Sequence, residues 1–213
     1  GSNLSKRLVD DGHKVVVLDS LLRGNKLDKE TFDRIEFIKG DVRDSDTVTK
    51  ASKGCDLIFH FAAVLGVDIV ADNPVETMDV EVIGTRNVVY AAEVNNIKKI
   101  MYASTSGIYG HSAIENALTE EVLVDPRTSY AMAKRYNEIY LASHFEEKGL
   151  NVISLRFFNV YGWNQDTRMV IPLFFEQAAN DEKITVFGTG KQTRDFTYID
   201  DTVEACIRLM DIN

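Results

Sequence analysis

Apolar and polar positions alternate between two periods along this chain. Short β-branched runs at 14–19, 35–39, 56–61, 99–104 and 151–157 read as strands. Between them, longer stretches with apolar positions at helical spacing predict helices over 3–10, 45–52, 74–95 and 129–148. Pro74 suits a first helical turn and Gly149 a helix C-terminal stop. Strand and helix in strict alternation is the signature of parallel strands joined by helical crossovers, so the pattern predicts an α/β fold with a doubly wound parallel sheet. After Asn159 the pattern changes to a helix over 170–180, a short strand over 184–187, a polar loop and a last helix from Asp200. That division predicts a sheet domain over 1–160 and part of a smaller C-terminal lobe over 161–213, whose last helix returns to the sheet domain. No repeat, low-complexity segment or linker interrupts the chain.

The order of elements is odd at its start. A doubly wound sheet normally opens on a strand and a glycine-rich turn, whereas here a helix leads into the run 14–19. The expectation is a Rossmann-like sheet lacking its first strand, which would lie between 14–19 and 56–61. The expectation is that both ends are missing from a longer parent, or that the parent was naturally shortened.

Composition narrows the possible functions. At 213 residues the chain can bury one large core, or one core and part of a second, and 45% hydrophobic with 27% charged residues is ordinary for a globular protein. A net charge of −9 excludes a nucleic-acid surface, which needs clustered Lys and Arg. No apolar run approaches a membrane span and the first residues form no secretory signal, so a cytoplasmic protein without membrane partners is expected. Cys55 and Cys206 are isolated and read as reduced, small apolar residues, with no disulfide or metal site.

The candidate chemistry starts at Tyr130-Ala-Met-Ala-Lys134, which sets a phenol and an ammonium one helical turn apart on one face. A cation beside a phenol favours the phenolate, so the pair is a candidate proton shuttle for an alcohol or sugar hydroxyl. Asp19 ends the first run with a carboxylate; in a dinucleotide fold an acid here bonds the adenosine ribose and repels a 2′-phosphate, which favours NAD over NADP. Asp41 follows the second run, placed to reach the adenine amine. Phe61, Ala62 and Ala63 end the third, where small residues allow close backbone approach to a cofactor. His60 reads as a packed strand residue rather than a catalyst.

Taken together, the ordered segments resemble the extended short-chain dehydrogenase/reductase family, in particular its NAD-dependent nucleotide-sugar epimerases and dehydratases. The segments are Asp19, Gly40-Asp41-Val42, His60-Phe61-Ala62-Ala63, Gly84-Thr85-Arg86-Asn87, Ser104-Thr105-Ser106-Gly107-Ile108-Tyr109-Gly110, Tyr130 to Lys134, Arg156-Phe157-Phe158-Asn159-Val160-Tyr161-Gly162 and Gly190 to Phe196. The resemblance implies that Tyr130 is the catalytic base, that Lys134 binds the nicotinamide ribose and lowers the tyrosine pKa, and that Thr105 hydrogen-bonds the reacting sugar oxygen, with Ser106 a second contact. It places Gly1, Asp19, Asp41, Val42, Phe61, Ala62, Ala63, Tyr130, Lys134 and Phe157 against NAD, and assigns 1–160 to NAD and 161–213 to substrate. Asn159 and Arg194 are expected on the substrate diphosphate, and Val170, Thr185 and Phe187 around the nucleotide base.

Family dehydratases carry an acidic pair after the threonine and related decarboxylases Ser-Glu, whereas this chain has Ser106-Gly107. A UDP-linked 4-epimerase working by reversible hydride transfer through a 4-keto sugar is therefore the leading expectation. The alternatives are a 4,6-dehydratase, a UDP-glucuronate decarboxylase or a non-catalytic domain. Of the family's phosphate-binding turn only the last glycine, as Gly1, is matched, so NAD binding by the 213-residue chain is expected to be weak or absent. A homodimer through the helices 74–95 and 129–148 is also expected, with Val82, Val89, Ile139 and Leu141 on buried faces.

Overall fold

The computed structural model describes residues 1–64, 67–112, 118–186 and 188–212, and the side chains of all of these except 67–69. The strand runs become β1 (Val16–Asp19), β2 (Glu36–Lys39), β3 (Leu57–His60), β4 (Lys99–Thr105) and β5 (Asn151–Phe157), and every pairing among them is parallel. The expected helices form as α1 (Ser2–Asp10), α3 (Ser45–Ala51), α5 (Pro74–Val94) and α6 (Ser129–Lys148), with α2 (Lys29–Phe32) and α4 (Val67–Asp72) added. Past β5 lie β6 (Asn159–Tyr161), α7 (Val170–Ala179), β7 (Phe196–Tyr198) and α8 (Ile199–Leu209).

The helix boundaries have local causes. The Asp44 side chain accepts from the backbone N–H groups of Asp46 and Thr47 at the start of α3, and Thr128 accepts from Ala131 N–H at the start of α6. Gly149 ends α6 in the left-handed conformation, φ 69°, with its N–H on the Phe145 carbonyl. Along α5 the buried positions Thr77, Glu81, Thr85, Val88 and Ala92 follow helical spacing, so a carboxylate falls on the buried stripe.

Among the described residues the sheet is not continuous. β1 pairs with β2, β3–β4–β5 forms a second sheet, and β6 pairs with β7; β1 and β3 share no ladder. The break falls where the pattern placed the absent strand. The two larger pieces are joined by side chains instead. Leu18 and Ile58 pack on one core with Val42, Val88, Val89, Ile100 and Leu141, and Asn87 Nδ2 donates to the Val42 carbonyl at 2.9 Å. On the other face Leu4 and Leu8 of α1 bury against Val203 and Cys206 of α8. Burying Lys99 is made possible by its Nζ donating to the carbonyls of Leu209 and Met210 at 2.7 Å each, and to that of Ile212, at the end of α8.

The strand expected over 184–187 does not form in its described part, 184–186. The Thr185 N–H donates instead to Gln177 Oε1 at 3.0 Å, and no described strand lies alongside to supply a ladder. No helix of the described residues is long and apolar enough to cross a membrane.

Candidate active site

The start of α6 brings Tyr130, Lys134, Asn137 and Glu138 onto the face that meets α5 and β4. Lys134 Nζ lies 2.9 Å from Glu81 Oε2, with the two side chains 1% and 0% exposed. The same ammonium sits 4.8 Å from the Tyr102 ring centre and 5.4 Å from that of Tyr130. Neighbouring polar groups fix the frame rather than the pair. Thr85 Oγ1 donates to the Glu81 carbonyl at 2.7 Å, and Asn137 Nδ2 donates to that carbonyl at 3.0 Å and to Tyr102 Oη at 2.9 Å. Because the Thr85 proton is spent there, His60 Nε2, 3.0 Å away, is the donor to Thr85 Oγ1. Burial, with Lys134 nearby, holds the His60 pKa down at about 3, so this histidine is a neutral packing group.

Burial first and the Glu81 carboxylate second push Tyr130 above the ordinary phenol value. Burial also pushes Lys134 below and Glu81 above their usual values, each opposed by the attraction of the other. Glu81 is a residue the motifs did not include, although the i, i+4 stripe through Thr77 and Thr85 passes through it.

Thr105 ends β4 abreast of Phe157 on β5. Its Oγ1 accepts from Gly107 N–H at 3.1 Å and caps a single 3₁₀ turn, Ser106–Tyr109. This turn lies against the start of α6: a Cβ on Gly107 would stand 3.6 Å from the Ala131 Cβ. The turn offers hydroxyls and no carboxylate. Gly110 closes it at φ 55°, where any Cβ would overlap the Asp125 carbonyl. Behind the turn, Glu138 accepts from Ser104 Oγ at 2.6 Å, from Arg135 Nη1 at 2.9 Å, and from Arg156 Nε and Nη2 at 3.0 Å each. Arg156 Nη1 also donates to Tyr109 Oη at 3.0 Å and to the Glu120 carbonyl at 2.9 Å. One buried carboxylate thus ties together β4, the turn, α6 and β5.

The residues expected on the cofactor gather at the C-terminal ends of the parallel strands. Gly1 caps α1. Asp19 ends β1 exposed, one oxygen accepting from Leu21 N–H at 2.7 Å. Asp41 is held by Arg43, whose Nε lies 3.0 Å from both carboxylate oxygens, and this hydrogen bonding outweighs burial to keep the Asp41 pKa low. Val42 is buried against α5, where only Gly84 fits, because a Cβ there would come within 2.7 Å of Val42 Cγ2. Ala62 and Ala63 are half-buried, while the Phe61 and Phe157 rings meet edge-on at 5.8 Å within the core beside α1 and α8.

The expected substrate residues come together only in part. Asn159 Nδ2 donates to the carbonyl of Asp195, the residue after Arg194, at 3.0 Å, so these two sites are neighbours across the β6–β7 pair. Arg194 itself is exposed, with Nη1 on the Thr193 carbonyl. Val170 opens α7, and Thr185 is bonded to Gln177 of that helix. Phe187 lies outside the described residues. A crevice of about 480 Å³ runs from Phe157 and Phe158 to Asp195 and Thr202. Among the described residues no group of His, Cys, Asp or Glu is arranged to hold a metal.

A parallel α/β sheet carrying this Thr, Tyr and Lys arrangement at its C-terminal edge defines a class, and residues 1–212 match the profile described as the NAD dependent epimerase/dehydratase family. The chain belongs to that family. It is 35% identical to the UDP-N-acetyl-alpha-D-glucosaminuronate decarboxylase of Bacillus cytotoxicus, over 99% of this chain and 68% of the relative. It is 34% identical to the UDP-glucose 4-epimerase of Mycolicibacterium smegmatis, over 98% and 69%. Its fold superposes with TM-score 0.90 on the UDP-N-acetylglucosamine 4-epimerase of Methanobrevibacter ruminantium M1 solved with UDP-N-acetylmuramic acid, at 33% identity, covering 97% of this chain and 68% of that one.

The residues present fit the NAD of this family. A buried ammonium with one carboxylate neighbour retains donors for ribose hydroxyls. An exposed carboxylate ends β1, and small residues follow β3.

Proposed function

We propose that this chain is the NAD-binding and part of the substrate-binding portion of a nucleotide-sugar 4-epimerase acting on a UDP-hexose, with 1–160 serving NAD and 161–213 the substrate. NAD supplies reversible hydride acceptance at the sugar C4. Tyr130 takes the proton of the C4 hydroxyl as hydride leaves C4 and, once the 4-keto sugar has turned its other face, returns that proton to the C4 oxygen, while the Thr105 hydroxyl holds the reacting oxygen and Ser106 gives a second contact. Lys134 anchors ribose beside Tyr130, and Asn159 and Arg194 hold the diphosphate.

The observation that carries the choice of reaction is the turn Ser106–Tyr109. It lies against α6 next to Tyr130 and itself carries no carboxylate, and among the described residues the buried acids Glu81 and Glu138 are committed to Lys134 and to Arg156. Among the described residues, elimination of water or loss of a sugar carboxylate has no free acid there to serve it. The 35% identity to a decarboxylase keeps UDP-glucuronate in the assay. With saturating NAD, the expected result is interconversion of UDP-glucose and UDP-galactose, abolished in Tyr130→Phe. A 4-keto-6-deoxy product or released carbon dioxide overturns the reading.

The outward faces of α5 and α6 support a homodimer. Tyr90, Val94, Met132, Tyr136, Ile139 and Phe145 are each between 45% and 56% exposed, whereas Val89 and Leu141 are core residues. Sedimentation should give a dimer for the native chain and a monomer for Ile139→Asp.

A further inference from the structure

The turn that carries Thr105 and Ser106 is held at both ends by one ion pair. Before it, the Ser104 hydroxyl donates to Glu138 Oε1 at 2.6 Å. At its end, the buried Tyr109 accepts at its hydroxyl from Arg156 Nη1 at 3.0 Å. Arg156 closes the span: its Nε and Nη2 fork onto the two oxygens of Glu138 at 3.0 Å each, which leaves Nη1 for Tyr109 and the Glu120 carbonyl. Glu138 belongs to the helix of the phenol, since Tyr130, Lys134 and Glu138 recur at i, i+4 and i+8 along α6. A helix is a stiff ruler that sets residues eight apart about 12 Å from one another along its axis. Pinning the turn to Glu138 therefore pins it to Tyr130. The Glu138 side chain is 5% exposed, so water does not compete for these bonds.

We propose that Glu138 and Arg156 are positioning residues: together they set the distance between the Thr105 hydroxyl and the Tyr130 phenol, the two groups that share the reacting oxygen of the sugar. The inference rests on the reading of those two side chains given under the proposed function. A planar fork of donors at position 156 reaches the carboxylate and the Tyr109 hydroxyl at once, whereas a lysine there offers a single point. Displacing a reacting group by about 1 Å costs on the order of a hundredfold in rate. Release of one end of the turn should therefore be read in turnover. Substrate affinity should change little, because the diphosphate contacts proposed at Asn159 and Arg194 are left in place.

The test separates position from stability. With NAD saturating, turnover of UDP-glucose is compared at a temperature where each variant is folded by circular dichroism. Tyr109→Phe, which removes one oxygen, should lower kcat at least about tenfold with KM within about twofold, and Ser104→Ala should do the same. Lys99→Met, which loosens the far end of β4, should lower Tm and keep kcat within about twofold. In an Arg156→Met background, adding Tyr109→Phe should change kcat by less than about twofold, because that bond is already gone. An unchanged kcat in Tyr109→Phe, a loss confined to KM, a matching fall in Lys99→Met, or an equal effect with and without Arg156 overturns the inference. Should Arg156→Met not fold, Ser104→Ala decides in its place, and an unchanged kcat there overturns the inference. If the native chain does not turn over, the proposed function fails and amide exchange decides the positioning. Tyr109→Phe must then speed exchange of the Gly110 N–H, on the Gly107 carbonyl at 3.2 Å, and of the Asp125 N–H, on the Ile108 carbonyl at 2.8 Å, while the amides of α6 stay protected. Unchanged exchange at both overturns the inference.

Discussion

Replacing Arg156 by Met removes the two charge-assisted hydrogen bonds that the guanidinium gives Glu138 at 3.0 Å, together with the bonds to Tyr109 and Glu120. The methionine fills much of the same volume, so the loss is electrostatic rather than a cavity. Hydrogen bonds to charged groups contribute about 1.5–3 kcal/mol each, and breaking a buried pair from one side costs about 3–5 kcal/mol. Arg156 is 19% exposed, and Ser104 and Arg135 still serve the carboxylate, so the low end applies, about 3 kcal/mol. At about 2–4 °C per kcal/mol for a chain of this size, Tm at pH 7 should fall by roughly 6–12 °C.

The loss must also depend on pH. Burial raises the Glu138 pKa, but hydrogen bonds from Arg156, Ser104 and Arg135 outweigh it and hold the carboxyl below its ordinary value. A depressed carboxyl stabilises the fold fully above its unfolded value of about 4.3 and loses that contribution as pH falls through the folded value. The gap in Tm between native and Arg156→Met protein, read by calorimetry, should therefore narrow on acidification below about pH 4. A gap under about 2 °C at pH 7, or one equally wide at about pH 3, refutes the reasoning.

Other outcomes follow from single contacts. Gly84→Ala presses a methyl into the stiff Val42 side chain and should cost about 1–3 kcal/mol in urea unfolding, without loss of helix content. Lys99→Met releases the carbonyls at the end of α8, and hydrogen exchange should speed up over 203–209 before anywhere in β4.

The long elements were legible in the sequence. The 129–148 and 151–157 boundaries coincide with α6 and β5, since a Thr cap, a Gly stop and β-branched runs mark them locally. Four-residue α2, capped by the Asp28 side chain, and the three-residue strands β6 and β7 were missed, being too short to show a period. At the candidate site, the motifs pointed to Thr105, Tyr130 and Lys134. They gave no role to Glu81, Glu138 or Arg156, whose pairings Glu81–Lys134 and Glu138–Arg156 join different elements. Charge on a buried helical stripe was the available signal, and it becomes informative only once the opposing lysine is known to be buried too.

The break between β1 and β3 has a consequence for how the molecule opens. A continuous ladder transmits order from strand to strand through backbone bonds, and among the described residues β1 and β3 share none; Leu18 and Ile58 pack on one core there, with the Asn87 amide on the Val42 carbonyl. The β1–β2 ribbon and the β3–β4–β5 sheet are thus, among the described residues, two pieces welded by packing. Weakening the weld should let the ribbon exchange its amides while the sheet bearing Thr105 stays closed.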